Sequence, residues 1–570
     1  MNNDQEYLLE DDHAKLEADD NFNCHYVNGD GKHEAEIREQ RILSVDDIIN
    51  EIGSCGRYQV LLGILVCLIN VPITYQILIM YFTGHSPNWK CKNGTNHFCN
   101  ISGEVSPAET GRFNSRCSMP RSSWEYVVQK DFSFVTEFDL VCDGNPMAAF
   151  ANSALYLGWG LGCIPLGIAA DYFGRKPIAL VSYILVLLAV FTSAFVTSVW
   201  QFILLRGITG FGITGVGISA FVLASEMVGR KHRSIMGNCI FIVGTGALLL
   251  LTLQAYYIRK WRKLSIICSA PYLPSAIMWY WIYESPRWLS SQGQLAKSLN
   301  VLKGIARINR HPFPNACIEQ SSNVKKAQGT LVHLFRPRRR LFITMPLSFG
   351  WMIVAMTFYG ISLSSGDLTG NMYRDFALMS LTECPATFLA VIFLERLGRK
   401  KTAVGSMVAA GLFCGSIALF PEKIYPTLRI IGGMVGKMFN VMAFSAYYIW
   451  TTELYPTTIR TQGMSFASFF ARVGCTTSPF ISDVLKLVTP SLPFVIMGVL
   501  SIFAGMLCLS LPETLGKSIM ESLEEYKLNP LAAINIDEAK DHVMNQRITR
   551  DSCEGEEEDD AFCEKDALIS

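Results

Sequence analysis

Three ionisable side chains interrupt apolar stretches near 373–395, 428–453 and 461–483, away from the charges at their ends: Glu383, Lys437 and Arg472. Such a group at the centre of a hydrocarbon layer costs about 2.5–3.5 kcal/mol on insertion scales, so each must face a cavity, a bound solute or another of the three. Glu383 could recognise a cationic group and Arg472 a carboxylate, which together would suit a small zwitterion. The same residues could instead form a standing Glu383–Arg472 or Glu383–Lys437 bridge that holds helices together. Trp351, Phe358, Tyr359, Tyr447 and Tyr448 supply aromatic faces, and a quaternary ammonium gains about 0.5–2 kcal/mol from each cation–π contact. Tyr359, beside Gly360 at mid-stretch, leads this group; Asn70, Gln76 and Asn152 are equally explained by hydrogen bonds between helices.

The elements that must position these groups are membrane-spanning helices. Runs free of Asp, Glu, Lys and Arg occupy 58–89, 144–170, 177–205, 207–225, 234–258, 264–283, 341–366, 402–421 and 487–512. About 20 apolar residues cross a hydrocarbon core of about 30 Å. With the three interrupted stretches this predicts an all-α membrane protein of 12 transmembrane helices. The expected layout is an acidic N-terminal tail (1–56), a six-helix half (57–283) with a large extracellular loop (83–146), a cytoplasmic linker (284–340), a second six-helix half (341–512) and an acidic C-terminal tail (513–570). The linker shows helical patterning around 294–307, through Leu295, Leu299, Leu302 and Ile305.

Charge agrees with that layout. The 49 basic and 49 acidic residues cancel, yet the tails are strongly acidic and the central 456 residues carry +21. With both termini cytoplasmic, the cytoplasmic loops hold 21 Lys and Arg, as the positive-inside bias requires, although the Arg259, Lys260, Arg262, Lys263 cluster runs against it locally. The balance argues against a nucleic-acid partner, which needs a basic surplus. Residues 83–146 hold four cysteines (Cys91, Cys99, Cys117, Cys142) and the glycosylation sequons of Asn93 and Asn100. Disulfides and N-glycans both belong to the oxidising side. Four cysteines allow three pairings, and the spacing chooses none of them.

An internal repeat runs through the predicted inner face. Asp171-Tyr-Phe-Gly174-Arg175-Lys176 returns as Glu395-Arg-Leu-Gly398-Arg399-Lys400, Glu226-Met-Val-Gly-Arg230 as Glu453-Leu-Tyr-Pro-Thr-Thr-Ile-Arg460, and Glu284-Ser-Pro-Arg287 as Pro512-Glu513-Thr514. The offsets are 224, 227 and 229 residues. A duplicated six-helix unit is an architecture of secondary transporters, with the solute at the bilayer midplane.

Gly167-x-x-x-Asp171-x-x-Gly174-Arg175-Lys176 is similar to the signature loop of the major facilitator superfamily, and Arg206-Gly-Ile-Thr-Gly210 resembles its second motif. Phe138-Asp-Leu-Val-Cys142-Asp, Ser365-Gly-Asp-Leu-x-Gly-Asn371-x-Tyr, Glu383-x-Pro385 and Glu453-Leu-Tyr-Pro-Thr457-x-x-Arg460 together resemble solute carrier family 22, from about residue 55 to 515. The flavour is that of its carnitine and zwitterion branch, alongside the fifteenth-member type. In this family's dedicated cation carriers the region around Arg472 usually holds an acidic residue, so Phe470-Ala-Arg472-Val-Gly474 points toward the anion and carnitine branches. The resemblance implies a cytoplasmic gate of Gly167, Asp171, Arg175, Glu226, Glu395, Arg399, Glu453 and Arg460. Gly167 would let helices approach, Arg175 would pair with Glu226, and either Arg399–Glu453 or Arg460–Glu395 would be the counterpart. These pairs would close while the cavity opens outward and part when the halves rock the other way.

No G-x-x-x-x-G-K-[ST] phosphate loop, catalytic triad or metal-ligand spacing is present, which argues against an enzyme, a nucleotide-driven pump or a metal site. The expected function is secondary-active, alternating-access transport of small organic cations or zwitterions, carnitine-like or ergothioneine-like. Organic anions are the alternative cargo, and a non-transporting membrane sensor or scaffold on the same fold is the alternative class. No cofactor is expected, and coupling to Na+ or H+ stays open. The partners expected are the solute and the lipid bilayer, with a monomer as the working unit. The plasma membrane is the expected location; Asp4-x-x-x-Leu8-Leu9 resembles an acidic dileucine signal that would allow endosomal or lysosomal residence.

Overall fold

The computed structural model describes residues 41–516, apart from 93–98, 100, 102, 108–109, 143–145, 230–231, 319–333, 336–337, 422–423 and 456–458. The two sequons, the dileucine pattern and the acidic run at 554–560 therefore lie outside the described residues.

In hydrocarbon every backbone polar group must be satisfied within the chain, so apolar runs of this length fold as helices. Among the described residues twelve helical passes follow one another. Eight are long and apolar enough to cross a membrane by length and composition: Arg57–Thr83, Pro146–Phe173, Arg175–Ser193, Val199–Met227, Arg340–Leu363, Met372–Leu397, Arg399–Leu419 and Pro426–Leu454. They are the first to fourth and the seventh to tenth passes. The other four depart for identifiable reasons. The fifth (Arg233–Tyr257) is one continuous helix whose described apolar part is Ile242–Tyr257. The sixth breaks at Pro271 into Trp261–Ser269 and Tyr272–Met278. The eleventh (Arg460–Asp483) carries Arg472 and many small polar residues, and the twelfth (Leu492–Cys508) is short. The eighth is also divided, into Met372–Leu381 and Glu383–Leu397. Pro385 has no N–H to give Leu381, which loosens the helix at that turn.

The chain groups into two compact units. One holds Met1–Met80, Gly158–Gln254 and Lys260–Val324; the other holds Tyr81–Leu157, Ala255–Arg259 and Lys325–Ser570. The outer ends of the first, second and fifth passes thus belong with the second set of six helices. In the first unit the third and fourth passes pack along their lengths, and in the second unit the seventh packs on the eleventh and the ninth on the tenth and twelfth. Gly174 and Gly398 turn the second pass into the third and the eighth into the ninth, at φ of +107° and +92°, a conformation that side chains resist.

The 83–146 loop is a small folded module. Trp89–Cys91 pairs antiparallel with Glu104–Val105 on one side and with Trp124–Tyr126 on the other. Trp89, Cys99, Val105, Phe113 and Trp124 form its core. Disulfides Cys91–Cys99 and Cys117–Cys142 select one of the three pairings the sequence allowed.

The linker folds as expected and more. Leu295–Asn309 is a helix with Ser298, Leu302, Ile305, Ala306 and Asn309 buried. Arg41–Leu43 pairs in parallel with Ala316–Ile318, and Asp46 of the short helix Val45–Glu51 meets Arg287 at 2.5 Å. Asn309 ends the linker helix inside the start of the first pass. Its Oδ1 accepts the Tyr58 N–H at 2.9 Å, and its Nδ2 donates to the Ile52 carbonyl at 2.9 Å and to Gln59 Oε1 at 3.0 Å. A Cβ added at Gly56 would collide with that amide. Orphaned buried donors and acceptors cost about 1–3 kcal/mol. Asn309→Leu is therefore expected to lower the thermal unfolding midpoint of the purified protein by several degrees; an unchanged midpoint would show that the amide is dispensable.

Candidate functional site

In the second unit the eighth and tenth passes bring their lone charges together. Lys437 Nζ lies 2.8 Å from Glu383 Oε1, with the Lys437 side chain almost wholly buried. Of the two bridges open at the sequence level, the structure forms Glu383–Lys437. Glu383 also begins the helix Glu383–Leu397, where the helix dipole favours a negative charge. Lys437 Nζ is 5.2 Å from the centre of the Phe358 ring, so an aromatic face stands beside the pair.

Arg472 lies with the same group. It is hydrogen-bonded to the Tyr359 hydroxyl and to Cys475, and its charge is felt at Tyr448. Tyr359 feels Glu383 as well, so both signs of charge act on one phenol. Tyr156 of the second pass packs on Tyr359 at 4.9 Å between ring centres. Phe358 and Phe444 complete the aromatic wall, 6.2 Å apart.

Two expected members do not join on these terms. Tyr447 is fully buried, its hydroxyl donating to Cys508 Sγ at 3.0 Å and its ring filling the space opposite Gly350. Trp351, 2% exposed, donates its indole N–H to Thr451 at 2.8 Å and packs edge-on to Tyr448. Tyr448, one residue beyond Tyr447, is 45% exposed. Successive residues on a helix differ by about 100°, so one position decides which face a side chain takes. Tyr156 was missed because nothing in its own apolar run marks it; a long-range ring contact carries it.

Aromatic residues also close the outer ends of this unit. Tyr81 stacks on Phe376 at 4.6 Å and donates to the Met372 carbonyl at 3.0 Å. Phe82 stacks on Tyr373 at 5.7 Å, and Tyr256 meets Tyr373 edge-on at 5.5 Å. Ser153 donates to the Thr476 carbonyl at 2.7 Å.

The repeated motifs build one polar network in each unit. In the first, Arg175 meets Asp171 at 2.7 Å and Glu226 at 3.7 Å, and Glu284 accepts from the backbone N–H groups of Arg175 and Lys176. In the second, Arg399 meets Glu453 at 2.9 Å, while Glu513 accepts from the N–H groups of Arg399 and Lys400. Trp288 donates to the Asp171 carbonyl and Trp450 to the Pro512 carbonyl. Arg399–Glu453 is the pair that forms; Arg460 instead points its Nε at the Tyr455 carbonyl, and Glu395 is exposed. Gly167 does not serve as a packing point, since a Cβ there would meet nothing within 4 Å. Close approach falls instead at Gly158, against the Gly207 carbonyl, and at Gly474, against that of Met352. Each pair above closes within one unit, so rocking the halves as rigid bodies would leave it intact.

Glu284 and Glu513 occupy matching places but differ electrostatically. Burial holds Glu284 above the ordinary carboxylate range despite backbone donors from Ser285, Lys176 and Arg175. Burial also raises Glu513, but N–H groups of Thr514, Leu515, Arg399 and Lys400 outweigh it and hold its carboxyl below that range.

The family relationship agrees with this architecture. The description "Sugar (and other) transporter" fits a family profile that matches residues 110–526. "Solute carrier family 22 member 3" of Mus musculus is 30% identical over 84% of this chain and 95% of its own length. "Organic anion transporter 3" of Oryctolagus cuniculus is 29% identical over 85% and 93%. Among solved structures, the inward open xylose transporter XylE from E. coli superposes with a TM-score of 0.54 at 15% identity, over 81% of this chain and 98% of its own, a likeness of fold alone. The chain belongs to the sugar (and other) transporter family of major facilitator proteins, as a transporter of the solute carrier family 22 type. It is a multi-pass membrane transporter and not an enzyme.

The contrast between the two carboxylates is testable. A depressed folded pKa means that Glu513 stabilises fully above the ordinary carboxylate range and loses that contribution as pH falls through its lower folded value. Glu284, raised, gives its stability to the neutral form and loses it as pH rises through the ordinary range. Glu513→Gln should therefore lower the unfolding midpoint at pH 7 more than Glu284→Gln, with the gap shrinking on acidification. Equal shifts at pH 7 would contradict the assignment.

Proposed function

We propose that this transporter carries small organic cations or zwitterions, zwitterions foremost, at the cluster formed by Glu383, Lys437, Arg472 and Tyr359. The observation that carries this reading is that Glu383 holds Lys437 at 2.8 Å while Arg472 and Glu383 both act on the Tyr359 phenol. A solute with a quaternary ammonium and a carboxylate, carnitine-like or ergothioneine-like, would set its carboxylate toward Arg472 and its cationic end toward Glu383 and the rings of Phe358, Tyr359 and Tyr448. A guanidinium–carboxylate pair is planar and bidentate, which gives direction as well as attraction.

Lys437 supports a mechanism of exchange. An incoming ammonium competes with Lys437 for Glu383, and the Phe358 ring 5.2 Å away offers the displaced lysine a second station. Vacating a buried carboxylate without a substitute would be costly, so the carrier would switch only when either lysine or solute occupies it. The outer aromatic contacts of Tyr81, Phe82, Tyr256, Tyr373 and Phe376 must part for entry from that side. The motif networks of Asp171, Arg175 and Glu226, and of Arg399 and Glu453, would hold each half rigid at its loops.

Organic anions are the second reading, favoured by the 2.8 Å contact of Lys437 on Glu383, which already neutralises the carboxylate. The names of the relatives cover both kinds of cargo, since an organic anion transporter matches as well as the member 3 carriers. The proposal places a monomeric carrier in the plasma membrane with both tails cytoplasmic.

Uptake of a labelled zwitterion, a simple quaternary cation and an aromatic monocarboxylate, with Na+ and pH varied separately, tests the reading. Arg472→Ala should cut zwitterion uptake about tenfold or more, as loss of a charge-assisted bidentate pair implies, and leave the simple cation less affected. Glu383→Gln should reduce both. Equal losses for every solute in Arg472→Ala, at equal surface expression, would assign Arg472 to structure.

A further inference from the structure

The 83–146 module contains a buried arginine that the transport chemistry does not use. Arg116 is 3% exposed. Its guanidinium lies 3.9 Å from the centre of the Phe113 ring and 5.6 Å from that of Trp124. Among the described residues no acceptor reaches its Nε or Nη1, or the buried indole N–H of Trp124. Three donor atoms beside the Phe113 and Trp124 rings thus have no partner there.

The nearby carboxylate is already committed. Asp139 accepts Arg121 Nε at 3.1 and 2.9 Å, one contact to each oxygen, and the Tyr126 hydroxyl at 3.0 Å. Arg121 lies 4.0 Å from the centre of the Trp124 ring and donates to the Trp124 carbonyl. Among the described charged groups that act on Arg116, which are Arg121 and Asp139, one positive charge is thus left over. The module has little freedom to relieve it. The Cys117–Cys142 disulfide grips the residue after Arg116, and Asp139 and Cys142 are held at φ of +52° and +56°. Burial lowers the pKa of Arg116 to about 10, with Tyr126 and Asp139 acting against that fall and Arg121 adding to it. At neutral pH the group still carries its charge. A buried ion with empty donors costs several kcal/mol, and aromatic faces answer only part of that.

We infer that Arg116 and the Trp124 indole form a binding site for a small monovalent inorganic anion, with chloride as its ligand. One surplus charge matches one halide. Two guanidinium N–H groups and an indole N–H suit a spherical acceptor without directional lone pairs. The apolar core of Phe113 and Trp124 favours an ion that sheds water readily over a strongly hydrated sulfate or phosphate. Bound there, the anion would tie the segment holding Arg116 to the strand Trp124–Tyr126 and so stiffen the module.

The test uses the full-length protein purified in detergent, with its unfolding midpoint measured as sodium gluconate is replaced by sodium chloride at constant ionic strength. The midpoint should rise saturably with chloride, bromide should substitute, and sulfate should not. Arg116→Gln should abolish the response, and Trp124→Phe, which keeps the charge and the ring, should shift half-saturation about two- to tenfold higher, as loss of one hydrogen bond implies. Should Arg116→Gln fail to fold, Trp124→Phe decides alone. Equal midpoints in chloride and gluconate for the wild type, an unshifted response in Trp124→Phe, or a response lost in Arg472→Ala and kept in Arg116→Gln would each overturn the proposal.

Discussion

A charge inside a hydrocarbon layer has to be answered by another charge, and the 2.8 Å contact of Lys437 with Glu383 is the answer on which the second half of this molecule is arranged. The pair joins the eighth and tenth passes at a point where neither helix can slide without exposing an ion to an apolar medium. It sits at the turn where Pro385 interrupts the eighth pass, so the carboxylate lies in the first turn of a helix while holding the lysine. Ala386, Ala390, Val441 and Met442 pack around it as a small buried cluster, with Phe358 against them. Arg472 then takes its place through Tyr359 and Cys475.

The same economy governs the repeated loops, where the medium is water on one side. A glycine in a positive-φ turn starts a helix, and a carboxylate from a distant pass accepts the first free N–H groups: Glu284 for Gly174-Arg175-Lys176 and Glu513 for Gly398-Arg399-Lys400. Helix starts leave several N–H groups without internal partners, and an anion is favoured there by the dipole. Each half thereby ties its last pass to its third, and the ion pairs of Arg175 and Arg399 add the fourth pass in each case. Two rigid bundles with a site formed on facing helices are what alternating access needs. The 83–146 module follows a third rule. It is too small to bury much surface, and two disulfides and a tryptophan core supply what a larger domain would gain from size.

Much of this was legible in the sequence. Hydropathy alone determined the helices, because a bilayer leaves the backbone no alternative. The offsets of 224, 227 and 229 residues determined the duplication, and the lone charges marked groups that must find partners. Periodicity in Leu295, Leu299, Leu302 and Ile305 determined the linker helix. What only the tertiary structure decided were the pairings: Lys437 with Glu383, Glu453 with Arg399, Cys91 with Cys99, and Tyr448 in place of Tyr447 at the exposed face. Each depends on the rotation and axial offset of helices, or on the path of a loop, where shifts of a few ångströms change partners while leaving composition and spacing untouched. Local sequence sets which groups need a partner in a low dielectric; which partner they take is set by packing between segments remote along the chain.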